Sequence, residues 1–226
     1  MLSPGAWIAS CAALLAAGAG PARAQAGTAV TGRIAILEKG GKRAADVGQA
    51  VIWLTANRAA APAGRVEIAT ENKQFLPHVL VVPAGTAVAF PNHDPFNHNV
   101  FSLSEAAPFD LGLYDRGETR TVQFPHPGIV RVYCNVHGTM SAFVVVRDNP
   151  FYTQPGADGS FTIAGVPAGE YTLTAWHERG GETSRKIQVG PQGLDPLELV
   201  LDARGFKSRP HLNKFGRPYD DEGRRY

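Results

Sequence analysis

The stretch Val132-Tyr133-Cys134-Asn135-Val136-His137-Gly138-Thr139-Met140 stands near the middle of the chain, directly after the strand-like run Gly128-Ile129-Val130-Arg131. Within it, Cys134 offers a thiolate, His137 an imidazole and Met140 a thioether. This close spacing allows one tight loop to fold all three groups around a single ion. The stretch therefore predicts a metal-binding loop that follows directly on a strand.

A second imidazole, that of His98, lies upstream in the run Asn97-His98-Asn99-Val100-Phe101, between turn-forming residues and an apolar segment. One cysteine, two histidines and a methionine make up the ligand set of a blue-copper electron-transfer site. Thiolate and thioether favour Cu(I), whereas imidazole accommodates both oxidation states. Cys134 ends one strand and the run from Ser141 to Val146 forms the next, so we expect two loops to enclose the ion at one end of a β-sandwich.

Each of these residues also has a plainer interpretation. His137 alone could be a surface histidine, Met140 alone could be core packing, and His98 could be a hydrogen-bonded loop residue. A Cys-x-x-His loop also occurs in zinc sites, although structural zinc more often recruits several cysteines and would give Met140 no role. Nucleophilic catalysis is less favoured, because no third group is apparent to orient a histidine beside Cys134.

The N-terminus has the pattern of an export signal. The run from Ala6 to Ala17 is almost continuously apolar and is followed by small residues. This predicts a signal peptide over residues 1–26, cleaved near Ala24 or Ala26, and a periplasmic location for the mature protein. The apolar run is too short to cross a bilayer and no other segment comes close, so no transmembrane segment is expected.

Export changes the interpretation of the two cysteines in the sequence. Cys11 would leave with the signal peptide, and Cys134 would then have no partner for an internal disulfide. A free thiol in an oxidising compartment is a liability unless it is buried or bound. Cys134 is therefore predicted to be either a buried apolar residue or a metal ligand.

Composition and patterning predict an all-β protein. Short alternating runs of valine, threonine and aromatic residues are separated by abundant glycine and proline, and no long helical period is present. We expect one sandwich over residues 63–149, inserted in or fused to a second, smaller sandwich formed by residues 27–62 with 150–202. Residues 203–226 are basic and poor in apolar anchors, so they are expected to be disordered or to lie along the surface.

The chain resembles the cupredoxins, and its short ligand loop is most like that of amicyanin within an amicyanin- and plastocyanin-like group. The resemblance rests on Asn92, on His98-Asn99-Val100 and on Cys134-x-x-His137-x-x-Met140, and it covers roughly residues 65–146. It implies a Greek-key β-sandwich that binds one type 1 copper ion through His98, Cys134, His137 and axial Met140. It also implies that Asn92 supports the site by linking the two ligand loops.

The flanking segments resemble the carboxypeptidase-regulatory-like, or transthyretin-like, modules. The motifs that carry this likeness are Val30-Thr31-Gly32, Asp158-Gly159-Ser160-Phe161 and Gly169-Glu170-Tyr171. The resemblance implies a non-catalytic β-sandwich. The whole arrangement resembles exported bacterial proteins of the methylamine-utilisation type.

Together these features predict a periplasmic copper protein that carries single electrons between a donor and an acceptor redox protein, and that is not an enzyme. The electron port would be His137, on the outward-facing loop. The alternative is a copper-binding, copper-delivery or envelope-interaction module without redox traffic. The formal net charge of +2 suggests no nucleic-acid partner. The basic tail could dock electrostatically on an acidic redox partner.

Overall fold

A computed structural model describes residues 27–219, and its regular structure is almost entirely β. The only helical turns among these residues are two short 3-10 helices, Lys39–Gly41 and Val47–Gln49. The all-β prediction is confirmed. Within residues 27–219, no helix is long and apolar enough to cross a membrane. The predicted signal peptide lies outside the described residues.

The central part of the chain forms ten strands. They are β3 (Val66–Glu67), β4 (Ala69–Glu71), β5 (Gln74–Leu76), β6 (Val79–Pro83), β7 (Thr86–Pro91), β8 (His98–Ser102), β9 (Phe109–Tyr114), β10 (Thr119–Phe124), β11 (Gly128–Tyr133) and β12 (Ser141–Arg147). A five-stranded sheet has the order β6-β12-β11-β8-β9, and a three-stranded sheet has the order β10-β7-β3. Strands β4 and β5 pair as a hairpin. One buried apolar cluster, which includes Phe90, Val100, Val132, Cys134 and Met140, forms the core of this part.

The segments before and after this central part pair with each other. Their strands are β1 (Thr28–Leu37), β2 (Val51–Leu54), β13 (Tyr152–Thr153), β14 (Ser160–Val166), β15 (Gly169–His177), β16 (Gly181–Val189) and β17 (Leu197–Asp202). They form sheets of order β14-β1-β17 and β13-β2-β15-β16, and a second apolar cluster fills the space that these strands enclose. The domain boundaries drawn from the sequence stay a prediction.

Strand β12 explains how the two sets of sheets meet. Its residues Ala142, Val144 and Val146 belong to the central core. Phe143 and Val145 point the other way, because successive side chains of a strand alternate between its faces. They pack in a third buried cluster with tryptophans of the flanking strands, and the Phe143 ring lies 5.1 Å from that of Trp176. A strand covered on both faces is expected to be continuously apolar, as residues 142–146 of β12 are.

The C-terminal segment, residues 203–219, lies along the surface of the central part. The ring of His211 stacks on Tyr133 at the end of β11, with centroids 4.2 Å apart, and the Tyr219 hydroxyl bonds to the Cys134 carbonyl. Of the two arrangements expected for this segment, disordered or along the surface, residues 203–219 adopt the second. The physical reason is that two aromatic side chains and backbone hydrogen bonds replace the apolar anchors that the composition lacks.

Candidate metal centre

The loop from Cys134 to Met140 joins β11 to β12 and is closed by its own backbone. The Cys134 amide donates to the Met140 carbonyl over 3.2 Å, and the Met140 amide donates to the His137 carbonyl over 3.1 Å. Because β11 and β12 are paired up to Tyr133 and Ser141, the sheet fixes both ends of the loop. Cys134 is fully buried, Met140 is 1% exposed and His137 is 6% exposed.

Three of the predicted residues converge on one point. His98 is the first residue of β8 and is fully buried. Its Nδ1 lies 3.6 Å from the Cys134 Sγ, and the His137 Nδ1 lies 3.8 Å from the same sulfur. The three ligand atoms all lie within 4.8 Å of one another. Two imidazole nitrogens aimed at one sulfur make a donor set that fits a copper ion.

Met140, the fourth predicted residue, is buried in the same apolar cluster as Cys134. Its backbone bonds to both Cys134 and His137 place it at the closing end of the loop. A thioether carries no charge and is readily buried, so its burial here costs little.

Burial decides the protonation of the donors. It lowers the pKa of His137 to about 4, helped by repulsion from Lys73 and from His98 whenever that ring is protonated. Burial also lowers the pKa of His98, against the opposing effect of Asp94. The Cys134 thiol has a raised pKa for the same reason, although backbone amides of neighbouring residues partly oppose this. At neutral pH the imidazoles are therefore neutral and able to bind metal, whereas the thiol must first lose its proton.

Asp94 is a functional residue that the sequence analysis missed. Its Oδ2 lies 2.8 Å from the His98 Nε2, and it is 5% exposed. The backbone amides of Asn72 and Lys73 donate to the same carboxylate over 2.7 and 2.9 Å. Burial alone would raise the pKa of Asp94, but these hydrogen bonds and His98 hold it below its usual value. A charged carboxylate on Nε2 keeps the proton there and leaves Nδ1 free for a metal.

The two backbone amides that donate to Asp94 belong to a turn that comes close to Asp94 only in the folded protein. Asn72 and Lys73 both have positive φ and connect β4 to β5, so their successive amides face the same way. Strand β4 meets the loop before β8 through a bridge between Thr70 and Asn92. In a loop, a spacing of four residues between an aspartate and a histidine does not predict that the two side chains touch. The sequence alone therefore could not identify the pair of Asp94 and His98.

Asn92 supports the site differently from the expected link between the ligand loops. Its Oδ1 accepts the amide of Asp94, and its Nδ2 donates to the carbonyls of Phe96 and Tyr114. These bonds shape the loop that carries Asp94 and His98, and none of them reaches the Cys134 loop. The two loops instead meet where the His98 Nδ1 lies 3.6 Å from the Cys134 Sγ.

His137 is also less exposed than an outward-facing port would be. Its Nε2 is buried and has no hydrogen-bond partner within the described residues. The ring of Phe96 lies 5.2 Å from the His98 ring and 5.7 Å from the His137 ring, and it is itself partly exposed. Phe96 therefore covers both imidazoles.

Comparison with known proteins finds a similarity to plastocyanins. No known protein-family profile matches the chain. A plastocyanin of Ulva arasakii is 33% identical over 72 residues, which cover 28% of this chain and 74% of that protein.

Solved structures with a similar fold include two copper proteins. The copper-containing nitrite reductase (NirK) from Thermus scotoductus SA-01 is 25% identical with a TM-score of 0.36, over 41% of this chain and 24% of the reductase. The chain thus spans only about a quarter of that enzyme. Amicyanin from Paracoccus versutus is 21% identical with a TM-score of 0.35, over 42% of this chain and 97% of the amicyanin. Since both TM-scores are low, the evidence for a family comes from the plastocyanin match.

Proposed function

This chain belongs to the cupredoxins, the family of the plastocyanins, and on that premise we propose that it is a periplasmic type 1 copper protein that carries single electrons between redox proteins. The observation that carries the proposal is the convergence of the His98, Cys134 and His137 donor atoms in a buried site.

The residues that would hold the copper ion are His98, Cys134, His137 and Met140. Bound copper would supply a one-electron couple between Cu(II) and Cu(I). The chain would keep the ligand positions nearly the same in both states, because β8, β11 and β12 fix the donors and Asp94 holds the His98 ring through its Nε2. Fixed ligand positions reduce the rearrangement that accompanies electron transfer.

Burial of the donors also argues for a carrier and against an enzyme. Cys134 and His98 are fully buried and Phe96 covers the two imidazoles, so a substrate has no access to the metal position. An electron can pass through packed side chains without such access. Between residues 27 and 219, one group of histidine, cysteine or acidic side chains is placed so that it could hold a metal ion, and it consists of His98, Cys134 and His137.

The remaining assignments extend this proposal. Residues 63–149 would form the cupredoxin domain, and residues 27–62 with 150–202 a carboxypeptidase-regulatory-like domain without catalytic function. A signal peptide cleaved near Ala24 or Ala26 would deliver the protein to the periplasm. The donor and acceptor would be redox proteins, and the basic residues of the C-terminal segment would favour an acidic partner surface.

The absorption and electron paramagnetic resonance spectra of the copper-loaded protein test the proposal. We expect an intense visible band from the Cys134 thiolate, which disappears on reduction and returns on oxidation. Cys134→Ser should abolish the band. His93→Ala, a control at an exposed histidine of the same loop, should leave it unchanged. A colourless copper-loaded protein, or one whose band does not respond to reductant, would favour a non-redox copper-binding or copper-delivery module.

A further inference from the structure

The C-terminal segment, residues 203–219, contacts the ligand loop through Tyr219. The Tyr219 hydroxyl donates to the carbonyl of Cys134 over 2.5 Å. Its ring packs against Gly138, where an added Cβ atom would stand only 2.8 Å from the Tyr219 Cδ2. The φ angle of Gly138 is not in the left-handed region, so the ring, and not the backbone conformation, is what requires glycine there.

Two further residues of the segment hold the same loop. The His211 Nε2 lies 3.1 Å from the Met140 carbonyl, which it can bond as a donor, while its ring stacks on Tyr133. The backbone amide of Lys214 donates to the Asn135 side chain over 2.9 Å. The Lys214 ammonium pairs with Asp110 on β9 at 2.6 Å and so ties the segment to the edge of the sheet. The loop is therefore contacted at both ends and in its middle.

The loop has few hydrogen bonds of its own to set against these external contacts. Within it, two backbone bonds link Cys134, His137 and Met140, and the Val136 amide donates to the Cys134 sulfur over 3.4 Å. A short loop with so few internal bonds opens at a low free-energy cost unless other elements hold it. Each opening would separate the Cys134 sulfur from the two imidazole nitrogens and would expose the thiol.

We propose that residues 203–219 are a clamp that holds the metal-ligand loop in its binding conformation, with Tyr219 as the principal positioning residue. The clamp acts on the metal-free protein, so it does not depend on the identity of the metal. It acts on metal affinity through the population of closed loops, because apparent affinity falls with the fraction of protein that is competent to bind.

The rate at which Cys134 reacts with iodoacetamide in the metal-free protein measures loop opening. Mass spectrometry of the peptide that contains Cys134 follows this thiol alone. Tyr219→Phe keeps the ring and removes the hydrogen bond to the Cys134 carbonyl, so the reaction should become about three- to tenfold faster. The matched control is Tyr171→Phe, which removes a tyrosine–carbonyl bond of 3.0 Å to Pro167 in the flanking strands. The control should leave the rate unchanged.

A second pair of variants tests the contact from the side of the loop. Gly138→Ala should accelerate the reaction of Cys134, because the new methyl group collides with the Tyr219 ring. In a Tyr219→Ala background the same substitution should have no further effect. Gly64→Ala, at a position with no atom within 4 Å of the added Cβ, serves as the control for Gly138→Ala.

The clamp is overturned if Tyr219→Phe reacts no faster than Tyr171→Phe, or if Gly138→Ala has the same effect with and without the Tyr219 ring. Copper affinity, measured by chelator competition, should fall only as far as the closed fraction falls, so it should change little while the open loop remains a minor population. Because the reaction is measured without metal, an accelerated reaction in a protein that binds no copper would support the clamp and contradict only the proposed function.

Discussion

Asp94→Asn is predicted to raise the reduction potential of the copper-loaded protein. The Asp94 carboxylate lies 2.8 Å from the His98 Nε2 and is almost fully buried. A hydrogen bond to a charged group contributes about 1.5–3 kcal/mol and a neutral one about 0.5–1.5 kcal/mol. Replacing the charged acceptor on His98 by a neutral one therefore weakens this hydrogen bond by about 1 kcal/mol. The negative charge favours the more positive, oxidised site. Losing it should raise the potential by roughly 40 mV for a one-electron couple.

The same substitution should also destabilise the metal-free protein. The two carboxylate oxygens accept three hydrogen bonds, from the backbone amides of Asn72 and Lys73 and from His98. An asparagine offers a single acceptor oxygen, and its amino group would face a donor. At least one donor then stays unpaired in a buried place, which costs about 1–3 kcal/mol.

Spectroelectrochemical titration measures the potential, and urea unfolding of the metal-free protein measures the stability. Asp158→Asn is the matched control, because Asp158 is an exposed turn residue that accepts the amide of Ser160 in the flanking strands. The control should not shift the potential. A lower potential in Asp94→Asn, or a rise of less than about 10 mV in a protein whose visible spectrum is intact, would refute this role of the carboxylate.

Two further predictions concern protons. Copper uptake at neutral pH should release about one proton, since the raised pKa of Cys134 keeps its thiol protonated while the two imidazoles are already neutral. Calorimetry in buffers of different ionisation enthalpy measures the number of protons released. Equal heats of copper binding in those buffers would contradict the prediction. The second concerns His78, whose Nε2 lies 2.7 Å from the Glu178 Oε2. The hydrogen bond to Glu178 is the main reason why the pKa of His78 is raised above its ordinary 6.5. The stabilisation from this pair is complete below pH 6.5 and is lost as the pH rises through the higher folded-state value. Glu178→Gln should therefore reduce the loss of unfolding free energy between about pH 6 and about pH 8, and an unchanged loss would show that the pair contributes nothing.

The sequence predicted those parts of the site that depend on local pattern. The spacing of Cys134, His137 and Met140 constrains one loop, and the alternating residues before and after it predict the two strands that fix its ends. The strand expected to end at Cys134 is observed as β11, which ends one residue earlier, at Tyr133. Predicting that His98 joins these residues required only that two loops share one end of a sandwich.

The parts that could not be predicted depend on contacts between distant segments. Asp94 acquires its role from the turn between β4 and β5, whose amides reach it only after the sheets have packed. The C-terminal segment has the composition of a disordered tail, because its contacts use one hydroxyl, one imidazole and backbone groups in place of apolar side chains. Composition counts apolar residues and does not register such bonds.

The supports of the ligand loop determine where an electron can leave the site. Strands β11 and β12 hold the loop from the sheet, and the clamp covers it at Cys134, Gly138 and Met140. His78 adds a further support, because it bonds the carbonyl of Ser141 at the start of β12 and pairs with the flanking strands through Glu178. Phe96, by contrast, touches both imidazoles and is partly exposed. We therefore expect a redox partner to approach across Phe96, so that the His137 imidazole passes the electron through this ring and not directly to solvent.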